Sequence, residues 1–312
     1  MDKPGSAAGD AVCPPADDMD VARYLLRIGD ARPAAPTAAA LRSLHRRHLL
    51  TVPFENLSQH CGGRWSTRAT PDLRPAYDKI VDRRRGGFCY ENNGLFAWLL
   101  TRLGFEVTLL AAQVRNTLTG RYGPPFDHLV SMVAAAGGGG RWLCDVGFGG
   151  TGFAEPLSLE VRDEPQTRGH LTYRIREDGD GDRDGVMRVL EVRGEGVRVQ
   201  EGCEWAEMYK FTLAPRRRED FARMCEYHQS SPSSIFFCKS LCSILRPNGR
   251  LTYMGHRLIT TTYPTEHSPL ETTTRDLKDE EIPVVLENEF GVVLRSPLIP
   301  KDQDIVPPSV MY

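Results

Sequence analysis

The apolar periodicity of the chain changes once, near Phe105, and no other feature constrains the fold as strongly. Before this point apolar residues recur at helical spacing, which predicts helices over residues 20–29, 37–48, 73–84 and 89–103. After it they alternate with polar residues, which predicts strands over residues 105–114, 127–135, 141–148, 169–176, 186–193 and 196–202. Helices and strands that are separated along the chain indicate an α+β protein.

The C-terminal third mixes the two patterns. It predicts a helix near 217–228, strands near 235–246 and 250–262, and a helix near 279–289, with a hairpin turn at Pro247-Asn248-Gly249. The predicted organisation is a disordered extension over 1–19, a helical domain over 20–104, a β domain over 105–208, and an α/β lid domain with a C-terminal tail over 209–312. The polar run 177–185 predicts a solvated loop, because it lacks the glutamate that ends a calcium-binding loop.

Composition excludes several classes of protein. The 312 residues carry a net charge of −2, without the basic excess that predicts nucleic-acid binding. No apolar run of about 18 residues predicts a membrane span, and the first residues lack the apolar core of a secretory signal. The eight cysteines show no CxxC spacing, which predicts reduced thiols, a cytoplasmic location and no metal site. The oligomeric state is not predicted.

Cys89 is the candidate nucleophile. It follows the paired glycines Gly86 and Gly87, which allow a tight turn, and it begins a stretch of helical periodicity. The unpaired N–H groups and the dipole of a helix N-terminus favour a thiolate there. A buried structural cysteine is the alternative, but the glycine turn and the polar run 91–93 favour the nucleophile.

His128 and Asp145 complete a possible catalytic set. His128 begins a predicted strand, and the glycine run 137–140 predicts a hairpin that leads back toward Asp145. A carboxylate beside the imidazole would fix its tautomer and stabilise its charged form. Taken singly, His128 could be a surface or core group and Asp145 a turn residue. Together with Cys89 they predict acyl transfer through an activated cysteine.

Three motifs resemble those of the arylamine N-acetyltransferases: RGGFCYEN from Arg85, DHLV from Asp127 and DVGFGG from Asp145. The resemblance runs from about Asp20 to the C-terminus. It implies an N-terminal helical domain, a central β-barrel, a C-terminal α/β lid domain, and a Cys-His-Asp core like that of the cysteine proteases. Cys89 would carry the acyl group in such a protein.

Further segments extend the resemblance. VPFENL (residues 52–57) resembles a family signature, which implies that Glu55 pairs with Arg85. This pair would fix the cysteine turn, the Gly86-Gly87 turn that precedes Cys89. MYKFTLAP (208–215), YHQSSPSS (227–234) and FCKSLCSI (237–244) resemble the third domain of the eukaryotic members, where coenzyme A lies between barrel and lid. This implies cofactor contacts from Tyr227, Ser233 and Ser309. Tyr227 could instead be a core aromatic, and Ser233 a turn serine.

The implied function is ping-pong transfer of an acyl group, most simply acetyl, from acyl-CoA to an arylamine or hydrazine through a Cys89 thioester. Asp127 and Phe148 are the implied substrate contacts, with core packing as the alternative for Phe148. Pro124-Pro125 departs from the family pattern, since proline offers neither a hydroxyl nor an N–H group. Malonyl-CoA or propionyl-CoA is therefore an alternative donor. A cysteine hydrolase of acyl-CoA or amides, and a non-catalytic binding protein that keeps the fold, are the competing functions.

Overall fold

The structure is a computed structural model that describes residues 19–62, 68–116, 119–135, 137–182 and 185–307, with the backbone alone for 180–182. Its helices are α1 (Val21–Ile28), α2 (Ala38–Thr51), α3 (Leu73–Tyr77), α4 (Cys89–Arg102), α5 (Ala222–Ser230), α6 (Ile235–Cys238) and α7 (Glu281–Phe290). Its strands are β1 (Phe54–Glu55), β2 (Glu106–Asn116), β3 (Arg121–Tyr122), β4 (His128–Ala134), β5 (Arg141–Cys144), β6 (Leu157–Ser158), β7 (Gln166–Arg168), β8 (Leu171–Asp182), β9 (Gly185–Arg193), β10 (Ala206–Phe211), β11 (Leu241–Arg246), β12 (Gly249–Met254), β13 (Arg257–Thr262) and β14 (Glu271–Asp276).

The N-terminal helices begin at side-chain caps. Asp20 accepts the Ala22 N–H at 2.7 Å before α1, and Thr37 accepts the Ala40 N–H at 3.2 Å before α2. After α3 the helix continues as a π turn over Asp78–Asp82. The helices pack their apolar faces against α4, which confirms the predicted helical block.

The largest sheet is a nearly closed barrel. Its strands follow the order β6-β5-β4-β2-β10-β9-β8-β7, and β3 pairs with β2 outside this path. The two edge strands are joined by Gln166, whose side chain accepts the Ser158 N–H at 2.8 Å and donates to the Ser158 carbonyl at 3.0 Å. These bonds satisfy backbone groups that an open edge would leave exposed.

The second sheet links the two ends of the chain. Its order is β1-β11-β12-β13-β14, and α7 packs its apolar face on this sheet. β1 pairs antiparallel with β11, with Phe54 opposite Ser243 and Glu55 opposite Cys242. The predicted hairpin turn before Gly249 is confirmed, because Arg246 pairs with Gly249. The segment that holds Glu55 therefore belongs to the C-terminal sheet.

Several strand predictions are wrong. Residues 196–202 form turns, with Gly196 and Gly202 at positive φ, and the strand lies instead at β10, bonded to β2 and β9. The polar run 177–185 lies, as predicted, between two paired strands, but these strands are longer than expected: β8 extends to Asp182 and β9 begins at Gly185, with residues 183–184 outside the described residues. The predicted strand over 141–148 ends at Cys144.

The C-terminal predictions differ in two further places. Ser234 caps the short helix α6 by accepting the Phe236 N–H at 3.2 Å, so the strand predicted from residue 235 begins only at Leu241. The run 250–262 turns at Gly255, whose φ is 60°, and forms β12 and β13. Of the predicted extension 1–19, residues 1–18 lie outside the described residues and Met19 is buried. No helix within the described ranges is long and apolar enough to cross a bilayer.

Candidate active site

His128 and Asp145 form a buried pair at one end of the barrel. His128 begins β4 and Asp145 directly follows β5, and these two strands are neighbours in the sheet. His128 Nε2 lies 2.7 Å from Asp145 Oδ2, and the Asp145 Oδ1 atom accepts hydrogen bonds from Asn93 Nδ2 at 2.9 Å and from the Gly147 N–H at 3.0 Å. The Asp145 carboxylate, which has hydrogen-bond partners on both oxygens, therefore fixes the orientation of the His128 imidazole.

The environment of Asp145 keeps it ionised. Burial alone would raise the pKa of its carboxyl group, but the charge and hydrogen bond of His128, together with the Asn93 and Gly147 donors, lower that pKa overall. Three hydrogen bonds to one carboxylate favour its charged form. Because Oδ2 lies against Nε2, Nδ1 is the ring nitrogen of His128 that this contact with Asp145 does not use.

Cys89 lies next to the backbone of the two segments that carry His128 and Asp145. It is the first residue of α4 and is only 2% exposed. A backbone hydrogen bond from Leu129, the residue after His128, lowers the pKa of the Cys89 thiol. A Cβ atom on Gly147 would lie 2.8 Å from Cys89 Cα, so no side chain fits between the two segments. The three predicted catalytic residues therefore come from segments in direct contact.

The thiol itself is not ionised by its helix alone. Burial raises the pKa of Cys89 well above its usual value, and the negative charge of Asp127 raises it further. These effects outweigh the expected stabilisation from the N-terminus of α4. A positive charge beside Cys89 would favour its thiolate form.

The cysteine turn is fixed by four buried charges. Arg85 donates to both carboxylate oxygens of Glu55, at 3.1 and 3.0 Å, as the resemblance implied. Lys79, in the π turn, donates to both oxygens of Glu91, at 3.0 and 3.1 Å. Glu91 also accepts the Phe88 N–H at 3.2 Å, which caps α4 one residue before Cys89. Sequence reasoning missed the role of Lys79, because an isolated lysine in a helix carries no signal of burial.

Aromatic rings cover the imidazole. Phe148 and Tyr209 both have ring centroids 5.5 Å from that of His128 and 5.5 Å from each other. Tyr209 is buried, and burial together with the charge of Asp145 raises its pKa well above the usual value. Phe148 is half-buried and packs against the barrel core. Tyr209 was missed as a site residue, although its motif was recognised.

Asp127 connects the barrel to helix α5. Its Oδ1 atom lies 3.1 Å from Nε2 of His228 on α5, and its Oδ2 atom accepts the Val114 N–H at 3.2 Å. His228 Nδ1 in turn contacts the Ser234 hydroxyl at 2.9 Å. Both carboxylate oxygens thus have protein partners, and the contact with substrate stays a prediction for Asp127.

Two of the predicted cofactor residues lie on α5 and in the turn that follows it. Tyr227 is half-exposed on α5, and Ser233 is half-exposed in the turn before α6, where its N–H donates to Ser231 Oγ at 3.2 Å. Ser309 lies outside the described residues. Pro124 accepts the Asp127 N–H at 3.2 Å in a tight turn that holds Phe126 at a φ of 65°. Across the described ranges no three His, Cys, Asp or Glu side chains form a metal-ligand group.

Comparisons with known proteins agree with these motifs. A family model described as N-acetyltransferase matches residues 37–299. Arylamine N-acetyltransferase 2 of Mus musculus and arylamine N-acetyltransferase 1 of Homo sapiens are each 33% identical over 293 residues, which cover 92% of this chain and 98% of each relative.

Solved structures show the same fold. The arylamine N-acetyltransferase of Nocardia farcinica gives a TM-score of 0.75 at 33% identity, covering 89% of this chain and 91% of that one. The Mycobacterium marinum arylamine N-acetyltransferase in complex with CoA gives 0.74 at 29% identity, covering 88% and 93%. The chain therefore belongs to the arylamine N-acetyltransferase family, a family of acyl-CoA-dependent transferases.

Proposed function

We propose that the protein transfers an acyl group, most simply acetyl, from acyl-CoA to the nitrogen of an arylamine or arylhydrazine through a thioester on Cys89. The observation that carries the proposal is the buried His128–Asp145 pair at 2.7 Å, together with the close packing of Gly147 on Cys89, where a Cβ atom would lie 2.8 Å from Cys89 Cα. Relatives named arylamine N-acetyltransferases, one of them solved with CoA, supply the substrate classes.

In the first half-reaction the Cys89 proton moves to Nδ1 of His128. The resulting ion pair supplies the cation that the buried thiolate needs, and Asp145 stabilises the imidazolium. The thiolate attacks the thioester carbonyl, the carbon–sulfur bond to coenzyme A breaks, and the leaving thiolate takes the proton from His128. N–H groups in the first turn of α4 have no helical acceptor, so they are suitable donors to the oxyanion.

In the second half-reaction the amine nitrogen attacks the acyl carbon on Cys89. His128 takes the proton from the nitrogen, the bond between the acyl carbon and the Cys89 sulfur breaks, and the proton returns to the sulfur. The half-buried Phe148 ring would stack on an aromatic acceptor, since offset aromatic pairs are favourable. We assign the acyl-CoA side of the site to Tyr227 and Ser233 on the lid, with Ser309 as a further predicted contact.

The intact mass of the protein after mixing with acetyl-CoA tests the proposal. We expect one acetyl adduct on the wild type and on Cys203→Ala, which changes an exposed cysteine, and no adduct on Cys89→Ala. Adding an arylamine should remove the adduct and yield the N-acetyl product. An adduct that persists in Cys89→Ala, or none with any donor, contradicts the proposal.

The same assay distinguishes the competing functions. Propionyl-CoA and malonyl-CoA in place of acetyl-CoA rank the donors by their rates of acylation. A hydrolase would lose its adduct at the same rate with or without an amine, whereas a transferase loses it much faster when the amine is present. A free nucleophilic thiol requires a reducing compartment, for which the cytoplasm is our proposal.

A further inference from the structure

A cavity of about 270 Å³ lies beside the turn that precedes Cys89, and Arg85 is the lining residue that it shares with the site described above. Arginines from two distant parts of the chain line it: Arg83, Arg84 and Arg85 before the glycine turn, and Arg295 after α7. Asp82 is the carboxylate among the lining residues. The cavity therefore brings four guanidinium groups together with one acid.

Two of these lining charges are already paired. Arg85 is bonded to Glu55, and Asp82 lies 2.8 Å from Arg23. In the part of the chain that the structure describes, no carboxylate pairs with the other three lining arginines. Among the described residues, three positive charges therefore line the cavity without an ion pair of their own, an arrangement that an anion would stabilise.

Like-charge crowding is visible at Arg83. Its pKa is lowered first by burial, then by the charges of Arg295 and Arg85, and Asp78 and Glu55 only partly offset this. The Arg83 side chain is held in place, since its Nε donates to the Asp78 carbonyl at 3.2 Å. A guanidinium that is both fixed and crowded by like charges is preorganised for a negatively charged partner.

The backbone of residues Arg83–Arg85, which we call the arginine loop, is held by hydrogen bonds. Buried Arg27 donates from Nε to the Ile80 carbonyl at 3.1 Å, and from Nη2 to the carbonyls of Arg84 at 3.2 Å and Arg85 at 3.3 Å. Arg84 is held at a φ of 54°, which an arginine rarely adopts. Backbone strain of this kind persists where the surrounding structure fixes it, commonly at ligand sites.

We propose that this cavity binds a phosphate-bearing anion. Guanidinium groups bind phosphate oxygens in a bidentate manner. An anion with two or more charges could therefore form ion pairs with Arg83, Arg84 and Arg295. Ser58 already accepts a hydrogen bond from Arg85 at 3.2 Å, which leaves its own hydroxyl hydrogen for the ligand. A volume near the lower end for small-molecule pockets fits a diphosphate or the phosphate end of a larger ligand. The site requires no chemistry at Cys89.

Isothermal titration of the full chain with inorganic diphosphate at constant ionic strength tests this proposal. We expect saturable binding to the wild type, and binding weakened at least about tenfold in Arg295→Ala and in Arg83→Ala, because each loses a charge-assisted contact. Arg32→Ala, an exposed arginine in a loop, is the matched control and should bind like the wild type. No saturable binding, or equal affinity in Arg295→Ala and the wild type, overturns the proposal. So does an equal loss in the control.

Competition then identifies the source of the phosphate. If coenzyme A displaces diphosphate from the wild type, the site holds the phosphates of the cofactor. If both bind together, the ligand is a separate phosphorylated compound. Acylation of Cys89 by acetyl-CoA is measured in parallel, so a failure of the anion site is distinguished from a failure of the proposed acyl transfer.

Discussion

Replacing Lys79 by methionine should destabilise the protein by about 3–5 kcal/mol at neutral pH, because it leaves a buried charge without its partner. Lys79 Nζ lies 3.0 and 3.1 Å from the two Glu91 oxygens and 3.7 Å from Glu55 Oε1. The three side chains are at most 6% exposed, so water screens these contacts little. The assay is urea unfolding followed by circular dichroism.

The loss should depend on pH. Burial raises the pKa of Glu91 above 4.5, even though Lys79 opposes this shift, so removal of the lysine raises it further. A carboxyl group whose folded pKa is raised binds more protons folded than unfolded. The free energy of unfolding that this group contributes is therefore largest below the pKa of the unfolded chain, and it decreases as pH rises through the pKa of the folded protein. We expect Lys79→Met to be less destabilising at pH 5 than at pH 8.

A second substitution separates charge from packing. Glutamine at position 91 keeps an oxygen that can accept the Phe88 N–H but removes the charge. The double variant Lys79→Met/Glu91→Gln should therefore regain most of the lost stability. A loss below about 1 kcal/mol in Lys79→Met, or a double variant no more stable than the single one, would refute a buried ion pair beneath the cysteine turn.

Two further predictions concern the catalytic segments. Asp145→Asn should slow acylation of Cys89 by about a thousandfold or more, measured by stopped-flow with acetyl-CoA. The pKa of Asp145 is lowered below 3.8, so its charged form stabilises the folded protein above that pH, and this stabilisation is lost as pH falls through the folded pKa. Asp145→Asn lacks this titrating group. Below pH 3.8 its urea midpoint should therefore fall less with decreasing pH than the midpoint of the wild type. Gly147→Ala should slow acylation at least about tenfold, because its Cβ would lie 2.8 Å from Cys89 Cα, whereas Gly150→Ala, with no atom within 4 Å of its Cβ, should not. Equal rates in the two alanine variants would contradict the close packing.

The sequence predicted most features that depend on short-range signals. The first two helices begin within one residue of their predicted starts, and the turn before Gly249 lies where the pattern placed it, since each depends on a few neighbouring residues. The motifs also indicated the order of Cys89, His128 and Asp145. Their assignment as a catalytic set stays a prediction for experiment.

The sequence failed where the outcome depends on distant partners. Residues 196–202 alternate like a strand but form turns, whereas β10 is a strand because β2 and β9 offer their backbone groups on either side. The segment after Ser234 resembles a strand in composition, yet the hydroxyl cap favours a short helix. Strand pairing is a property of the sheet and not of the segment alone.

The sequence by itself determined the helical block, the β-rich block and the family motifs, because periodicity, caps and turns act over a few residues. Only the tertiary structure decided that Lys79 is buried against Glu91, that Tyr209 lies on the ring of His128, and that Arg295 meets the arginine loop before the glycine turn. Burial and charge pairing depend on which distant segments the fold brings together, and no local pattern records that.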